Sequence, residues 1–322
     1  MKRFVALTLL SVLGLLSAAP ALAQSQAKQT YTVSVTQIVE HPSLDAVRQG
    51  FMDEFKALGF EAKYNVHSAQ GNIATANQIA SQMLGEKPDI VLAIATPTAQ
   101  AAAQKIRNTP ILITAVTDPV GAGLVKSLNA PGANVTGMTD RSPVDRQLAL
   151  IMECVPGVKR LGIIYNAGEA NSVTTFGQVK EEAAKLGWTV VPATVANSAG
   201  VTQAAKSLVG KTDAIYVGTD NTVITALEAI IKVCQQNKLP LFSADNDSVQ
   251  RGAVAALAVD YYRMGKQTAH MAKRILVDGA SPATMPVEDL QELELYVNKG
   301  AAKAMGVNVP QAVLSRADKI IE

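Results

Sequence analysis

Three features of this 322-residue chain point to α/β architecture, with two Rossmann-like lobes built on parallel sheets. From Tyr31 onward, short β-branched runs alternate with segments of helical periodicity. Such βαβ alternation builds a parallel sheet with helices on both faces. The alternation stops at a polar break, Thr139–Pro143, and then restarts. A helix and a strand are left over after the second unit, so the chain must return to units already built, and several crossings make a multi-strand hinge.

The elements follow in order. Strands are expected at Thr32–Val39, Ala62–His67, Ile90–Ala95 and Ile111–Val116, with helices near Leu44–Leu58, Asn72–Leu84 and Thr98–Ile106 between them. Asn134–Met138 reads as one more strand. In the second unit a helix near Val144–Cys154 leads to strands Arg160–Tyr165, Thr189–Val195, Ala214–Val217 and Leu241–Ser243. Helices near Ser172–Leu186, Val201–Leu208 and Thr222–Gln236 connect them. Lys56-Ala57-Leu58-Gly59-Phe60 and Lys185-Leu186-Gly187-Trp188 both end a helix on glycine and enter a strand aromatic-first; glycine suits the left-handed residue that closes a helix. An amphipathic helix then runs over Tyr261–Val277 and stops at Asp278-Gly279. Pro282 and Pro286 mark a linker before a strand at Leu293–Val297 and a helix near Ala301–Met305. The expected lobes are residues 31–140 with about 261–283, and 141–260 with about 284–322.

The first 23 residues read as a cleaved export signal: basic Lys2-Arg3, apolar Phe4–Leu16, and a small-x-small site at Ala21-Leu22-Ala23. The apolar run is shorter than the roughly 18 residues expected of a membrane span. The chain carries 29 basic and 27 acidic residues, so the net positive charge belongs to this segment. No basic run with interleaved aromatics remains, which argues against nucleic-acid binding. Neither Cys154 nor Cys234 stands at the cleavage site, so no lipid-anchoring cysteine is present and a free periplasmic protein is expected. The two cysteines are read as separate core residues, with a disulfide left open. His41, His67 and His270 are too scattered for a metal site.

In open parallel sheets, ligands bind beyond the carboxyl ends of the strands, and polar residues gather there in both units. The first unit offers Ser43 and Leu44 after its first strand, Thr96-Pro97-Thr98 after its third, and Thr117-Asp118-Pro119 after its fourth. The second offers Asn166–Ser172 with Tyr165 and Glu169, then Thr219-Asp220-Asn221-Thr222, then Ala244-Asp245-Asn246-Asp247. Asn171 and Ser172 read as caps of the helix that follows. Helix starts and hydroxyls suit a carboxylate, whereas Asp118, Asp220 and Asp245 suit an ammonium group; together they point to an amino acid. Gly121-Ala122-Gly123-Leu124-Val125-Lys126 lacks the third glycine of a dinucleotide fingerprint. No nucleophile elbow exists, so neither a cofactor nor catalysis is expected.

Nearly the whole chain after the signal resembles the ABC-transporter substrate-binding proteins of the tryptophan/tyrosine-binding group. The residues that carry the likeness are His41-Pro42-Ser43-Leu44-Asp45, Thr117-Asp118-Pro119-Val120, Tyr165-Asn166 with Glu169-Ala170-Asn171-Ser172, and Thr219-Asp220-Asn221-Thr222-Val223. The run from Arg251-Gly252-Ala253 to Asp260-Tyr261-Tyr262 with Gly265 adds to it. Ala167-Gly168 departs from the proline and small residue expected after the loop asparagine. The resemblance implies a type I periplasmic binding protein with a three-stranded hinge. Such a monomeric receptor closes on an aromatic or branched amino acid and delivers it to a membrane permease. It implies a carboxylate held by Ser43, Thr96, Asn171 and Ser172, and an ammonium held by Asp220 and Asp245 with Glu169. Leu44, Pro97 and Tyr165 would form the side-chain pocket. A sensor for a membrane partner and a secreted enzyme on the same fold remain open as alternatives.

Overall fold

The computed structural model describes residues 30–322; the expected export signal lies outside them. The N-terminal lobe is built in alternation from β1 (Thr30–Gln37), α1 (Pro42–Ala57), β2 (Glu61–Ser68), α2 (Ile73–Glu86), β3 (Ile90–Ile94), α3 (Thr96–Lys105), β4 (Ile111–Val116) and β5 (Val135–Thr139). The C-terminal lobe continues with α4 (Val144–Cys154), β6 (Arg160–Asn166), α5 (Ala170–Lys185), β7 (Thr189–Val195), α6 (Val201–Leu208), β8 (Ala214–Val217), α7 (Asn221–Thr225), α8 (Leu227–Asn237), β9 (Leu241–Ser243), α9 (Asn246–Arg251) and β10 (Ala255–Ala258). After these come α10 (Tyr261–Leu276), β11 (Glu288–Asp289), β12 (Glu294–Asn298), α11 (Lys299–Ala304), α12 (Gln311–Leu314) and β13 (Lys319–Ile321).

Two sheets result. The first has the order β11-β5-β4-β3-β1-β2, all parallel. The second has the order β13-β12-β10-β9-β8-β6-β7, parallel except where β12 returns against β10. Sequence and position agree strand by strand. Every residue of β3 and of β4 is buried, as a central parallel strand covered on both faces requires, while edge strand β2 is partly exposed along its length. Each sheet has its own apolar core.

Helix α10 belongs to the first lobe although the second precedes it. A Cβ on Gly265 would lie 2.0 Å from the Val47 carbonyl oxygen, and one on Gly50 2.1 Å from that of Tyr262. Thus α1 and α10 touch backbone to backbone, and only glycine permits that approach. Met264 and Met271 then sink into the first core.

The last crossing comes later than the expected boundary near 284. Glu288 and Asp289 pair with Met138 and Thr139 of β5. The Thr136 hydroxyl donates to the Met285 carbonyl at 2.7 Å, and Met285 and Val287 are buried in the first core. The chain therefore leaves the first lobe between Asp289 and Glu294. Three other details depart from expectation. β10 is all alanine and leucine and lacks the β-branched signal, yet it is held between β9 and β12. β13 closes the far edge. The single helix expected over Thr222–Gln236 is broken at Ala226 into α7 and α8. Cys154 and Cys234 are free and buried, and burial pushes both thiols up to about 12. Among the described residues, no helix is long and apolar enough to cross a membrane.

Candidate functional site

The carboxyl ends of both sheets face each other across one cleft. Its floor is a cavity lined by His41, Ser43, Leu44, Ala115, Thr117 and Asp140, with Tyr261 from the start of α10. The C-terminal lobe contributes Asn171, Thr219, Asp220, Asn221, Ile224 and Asp245. About 360 Å³ of empty space lies among them, part of it open to solvent. Two hydrogen bonds join the lobes here, Ser43 Oγ to Asp245 Oδ1 at 3.1 Å and Thr117 Oγ1 with Thr219 Oγ1 at 3.1 Å. The cleft is closed on itself.

Local backbone explains the N-terminal side. The β4–β5 register shifts between Ile113 and Val116, and Ala115 takes the left-handed conformation at φ 53°. Gly137 is needed opposite, since a Cβ there would lie 1.9 Å from the Ile113 carbonyl oxygen. The bulge re-aims the strand end and brings Ala115 and Thr117 to the cavity. Ala95, at φ 76°, starts α3 in the same unusual way. Left-handed alanines cost of order 1–3 kcal/mol each and persist where surroundings enforce them.

At α1, His41 is the N-cap residue but makes no capping bond through its side chain. The first turn bond runs from the Asp45 N–H to the His41 carbonyl. The N–H groups of Ser43 and Leu44 therefore lack a partner within the helix, at the end where the dipole favours an anion. The Ser43 hydroxyl is already given to Asp245, so any carboxylate contact at Ser43 falls to its backbone. His41 is buried, its Nδ1 has no partner, and burial holds its pKa below the ordinary value, which makes it neutral.

The C-terminal side is built from acids. Asp220 caps α7 and Asp245 caps α9. Asp220 accepts from Val223 N at 2.8 Å and from Asn166 N at 2.6 Å, with Ser172 as a further donor. Burial, together with the nearby Glu169 charge, pushes its carboxyl up to about 7. Asp245 accepts from Ser248 N, Ser248 Oγ, Ser243 Oγ and Ser43 Oγ at 2.6–3.1 Å. No lysine or arginine lines the cavity. The nearby Arg251 is tied to Glu228 at 2.8 Å.

Ser43, Leu44, Asn171, Asp220, Asn221 and Asp245 are thus brought together, while six other expected residues do not line the cavity. Glu169 is buried behind it. Its carboxylate takes donors from Asn171 Nδ2, the backbone and side chain of Asn221, and the backbone and hydroxyl of Thr222. With five donors it fixes the two asparagines and has no acceptor capacity to spare. It is also the N-cap residue of α5, so Asn171 and Ser172 are not caps but lie inside the first turn. Asn171 Nδ2 donates to Thr219 O at 2.7 Å, while its Oδ1 has no partner, so it offers the site an acceptor rather than a donor for a carboxylate. Ser172 reaches Asp220 instead of a ligand.

Tyr165 stacks on Phe176 at 4.5 Å between ring centroids and stays within its own lobe. Asp118 closes a turn, accepting from Gly121 N at 2.9 Å. Thr96 is buried with an unpartnered hydroxyl. Pro97 lines a separate outer hollow with Gln100, Ala122 and Gly168.

The sequence reading did not name His41, Ala115, Asp140, Ile224 and Tyr261 as binding residues, and it placed Thr117 and Thr219 on the ligand-binding edge without giving them a role. Asp140 and Tyr261 stand where the chain crosses between lobes, in a stretch read as linker and at the first residue of a helix. Each sits beside a predicted crossing, and Tyr261 also belongs to the Asp260-Tyr261-Tyr262 run that carries the family likeness. Among the described residues, no group of three or more His, Cys, Asp and Glu is placed to hold a metal ion.

Comparison with known proteins agrees with this architecture. Residues 32–321 match the family model described as ABC transporter substrate binding protein. A curated "Tyrosine-binding protein" of Clostridioides difficile (strain R20291) is 36% identical over 286 residues, covering 88% of this chain and 83% of the relative. The solved structure of an ABC domain in complex with L-Trp from Streptococcus pneumonia is 32% identical, with a TM-score of 0.87, covering 91% of this chain and all of the other. A ligand-free, open structure of a substrate binding protein with adhesive properties from Clostridium difficile is 38% identical, yet its TM-score is only 0.68, over 90% of this chain and 99% of the other. Two hydrogen bonds across the cleft hold the lobes of this chain together. With two largely parallel sheets in two lobes, the chain has the type I periplasmic-binding-protein fold and belongs to the ABC transporter substrate-binding proteins.

Proposed function

We propose that this protein binds an aromatic amino acid, tyrosine or tryptophan, by closing its two lobes, and presents it to the permease of an ABC importer. The observation that carries the reading is the charge pattern of the interlobe cavity. Three aspartates and no lysine or arginine line it, beside a neutral histidine and an uncapped helix start. A buried carboxylate requires a positive partner; an α-ammonium group supplies one. The open N–H groups of α1 suit the α-carboxylate, and Leu44, Ala115, Ile224 and the Tyr261 ring offer apolar surface to the side chain. The tyrosine-binding and L-Trp-bound relatives support the aromatic class. We place the protein in the periplasm as a monomer, exported by its N-terminal segment, with no catalytic step. Residues on the cleft edge from both lobes must meet one ligand, which couples binding to closure.

The test is calorimetric titration with the twenty amino acids, backed by thermal shift, since a ligand bound only by the folded form raises its stability. L-Tyr or L-Trp should bind most tightly without turnover. Binding of a sugar but of no amino acid would refute the reading. Uptake that survives deletion of the gene, with loss of a cellular response instead, would favour a sensor.

A further inference from the structure

We infer that Asp140, which follows β5 at the first crossing between lobes, is the residue that receives the ligand's ammonium group. The inference rests on the amino-acid reading above and names the subsite within it. Three cavity aspartates compete for the role, and their existing partners separate them. Asp245 has four donors and Asp220 three, and each is bound to the start of a short helix. Asp140 caps no helix. Each of its oxygens takes a single side-chain donor, Thr117 Oγ1 on Oδ1 at 3.0 Å and Tyr261 OH on Oδ2 at 2.9 Å. Both are neutral hydroxyls, and a carboxylate has about four lone-pair sites. Asp140 is only 6% exposed, yet among the described residues no lysine or arginine joins it in lining the cavity, and its side-chain donors are the two hydroxyls alone. The two hydroxyls fix the carboxylate plane and leave acceptor capacity on each oxygen.

Two neighbouring observations agree. Asn171 Oδ1, on the opposite wall, is a buried acceptor without a partner. An ammonium group has three donors, and Asp140 with Asn171 supplies acceptors from both lobes. In addition, Asp140 and both its donors belong to the N-terminal lobe side: Thr117 follows β4, and Tyr261 opens α10, which packs on α1. The seat is therefore assembled before the C-terminal lobe arrives.

The experiment compares L-tyrosine and L-tryptophan with 3-(4-hydroxyphenyl)propanoate and 3-(indol-3-yl)propanoate, which lack only the amino group. Binding to wild type and Asp140→Asn is followed by calorimetry, with thermal unfolding of each variant. Wild type should favour the amino acids by tenfold or more. In Asp140→Asn, amino-acid affinity should fall at least tenfold while affinity for the deaminated acids holds or rises, so that discrimination collapses. Tyr261→Phe, which keeps the ring and removes the donor, should narrow discrimination in the same direction. Full discrimination in Asp140→Asn would overturn the inference, and so would an equal loss for both ligand classes. A wild type that binds no amino acid would instead sink the functional reading, and this assignment with it.

Discussion

In the C-terminal lobe the acids that face the cleft also cap helices, whereas in the N-terminal lobe the acid that faces it caps none. Asp220 and Asp245 each close the first turn of a helix and collect three or four donors. Asp140 takes two hydroxyls, and the helix start beside it, α1, has no side-chain cap. The difference teaches that cleft acidity has two origins. One is committed to folding and stays satisfied without ligand. The other is an incomplete environment that a ligand completes.

Breaking the committed side should cost most. Asp245→Ala removes a cap and leaves buried hydroxyls of Ser43, Ser243 and Ser248 without their acceptor. Caps contribute about 1 kcal/mol and each orphaned buried group about 1–3 kcal/mol, so ligand-free stability should fall by about 3 kcal/mol or more in denaturant unfolding. Asp140→Asn should do the opposite: it removes a buried charge with no cation beside it, so thermal stability without ligand should hold or rise. A loss comparable to that of Asp245→Ala would erase the distinction between the lobes.

The pH dependence sharpens the same contrast. The Asp220 carboxyl is pushed up to about 7, above its ordinary unfolded value near 3.9. The folded state then binds the proton more tightly, and this group's contribution is fully present below about pH 4 and lost as pH rises through about 7. The slope should reach up to about 1.4 kcal/mol per pH unit. His41 acts with opposite sign: burial disfavours its charged form, so its contribution is fully present above about pH 6.5 and is lost as pH falls below that. Comparing wild type with Asp220→Asn between pH 5 and 8 isolates the aspartate, and the variant should show the flatter loss. Identical slopes would remove Asp220 from the account.

Smaller effects serve as controls. Asn72 caps α2, accepting from Thr75 N at 3.0 Å on a surface away from the cavity. Asn72→Ala should cost about 1 kcal/mol of stability and leave ligand affinity unchanged. Ser43→Ala removes one lobe-to-lobe bond worth about 1 kcal/mol, so affinity should drop a few-fold with the folds of both lobes intact. A larger change in the Asn72 variant's affinity than in the Ser43 variant's would contradict the assignment of the cleft.

Much of the architecture was legible in the residues. Period-two runs such as Glu61–Ser68 and largely apolar runs such as Ile111–Val116 identify strands, because backbone geometry itself alternates side chains and a central parallel strand is covered twice. The restart after Thr139–Pro143 separates the lobes for the same local reason. Where local signal is weak, the reading failed. Ala255–Ala258 carries no strand preference and is a strand only because β9 and β12 flank it. The start of α5 lies at Ala170 rather than Ser172, since Glu169 is drawn across to Asn221 and Thr222 of another helix.

The site divides along the same line. Residue types at strand ends, with hydroxyls, acids and few aromatics, were enough to suggest a zwitterion in the cleft. Sequence periodicity also located most strands of both sheets, because alternation and burial are local properties of a strand, whereas β10, β11 and β13 were set by their neighbours. Which acids face the cavity unsatisfied was decided only in three dimensions. Asp140 meets Tyr261 across 121 positions, after the chain has crossed to the second lobe and back, and Ser43 meets Asp245 across 202, after one crossing. Hydrogen-bond satisfaction is a property of those distant meetings, and no local pattern encodes it.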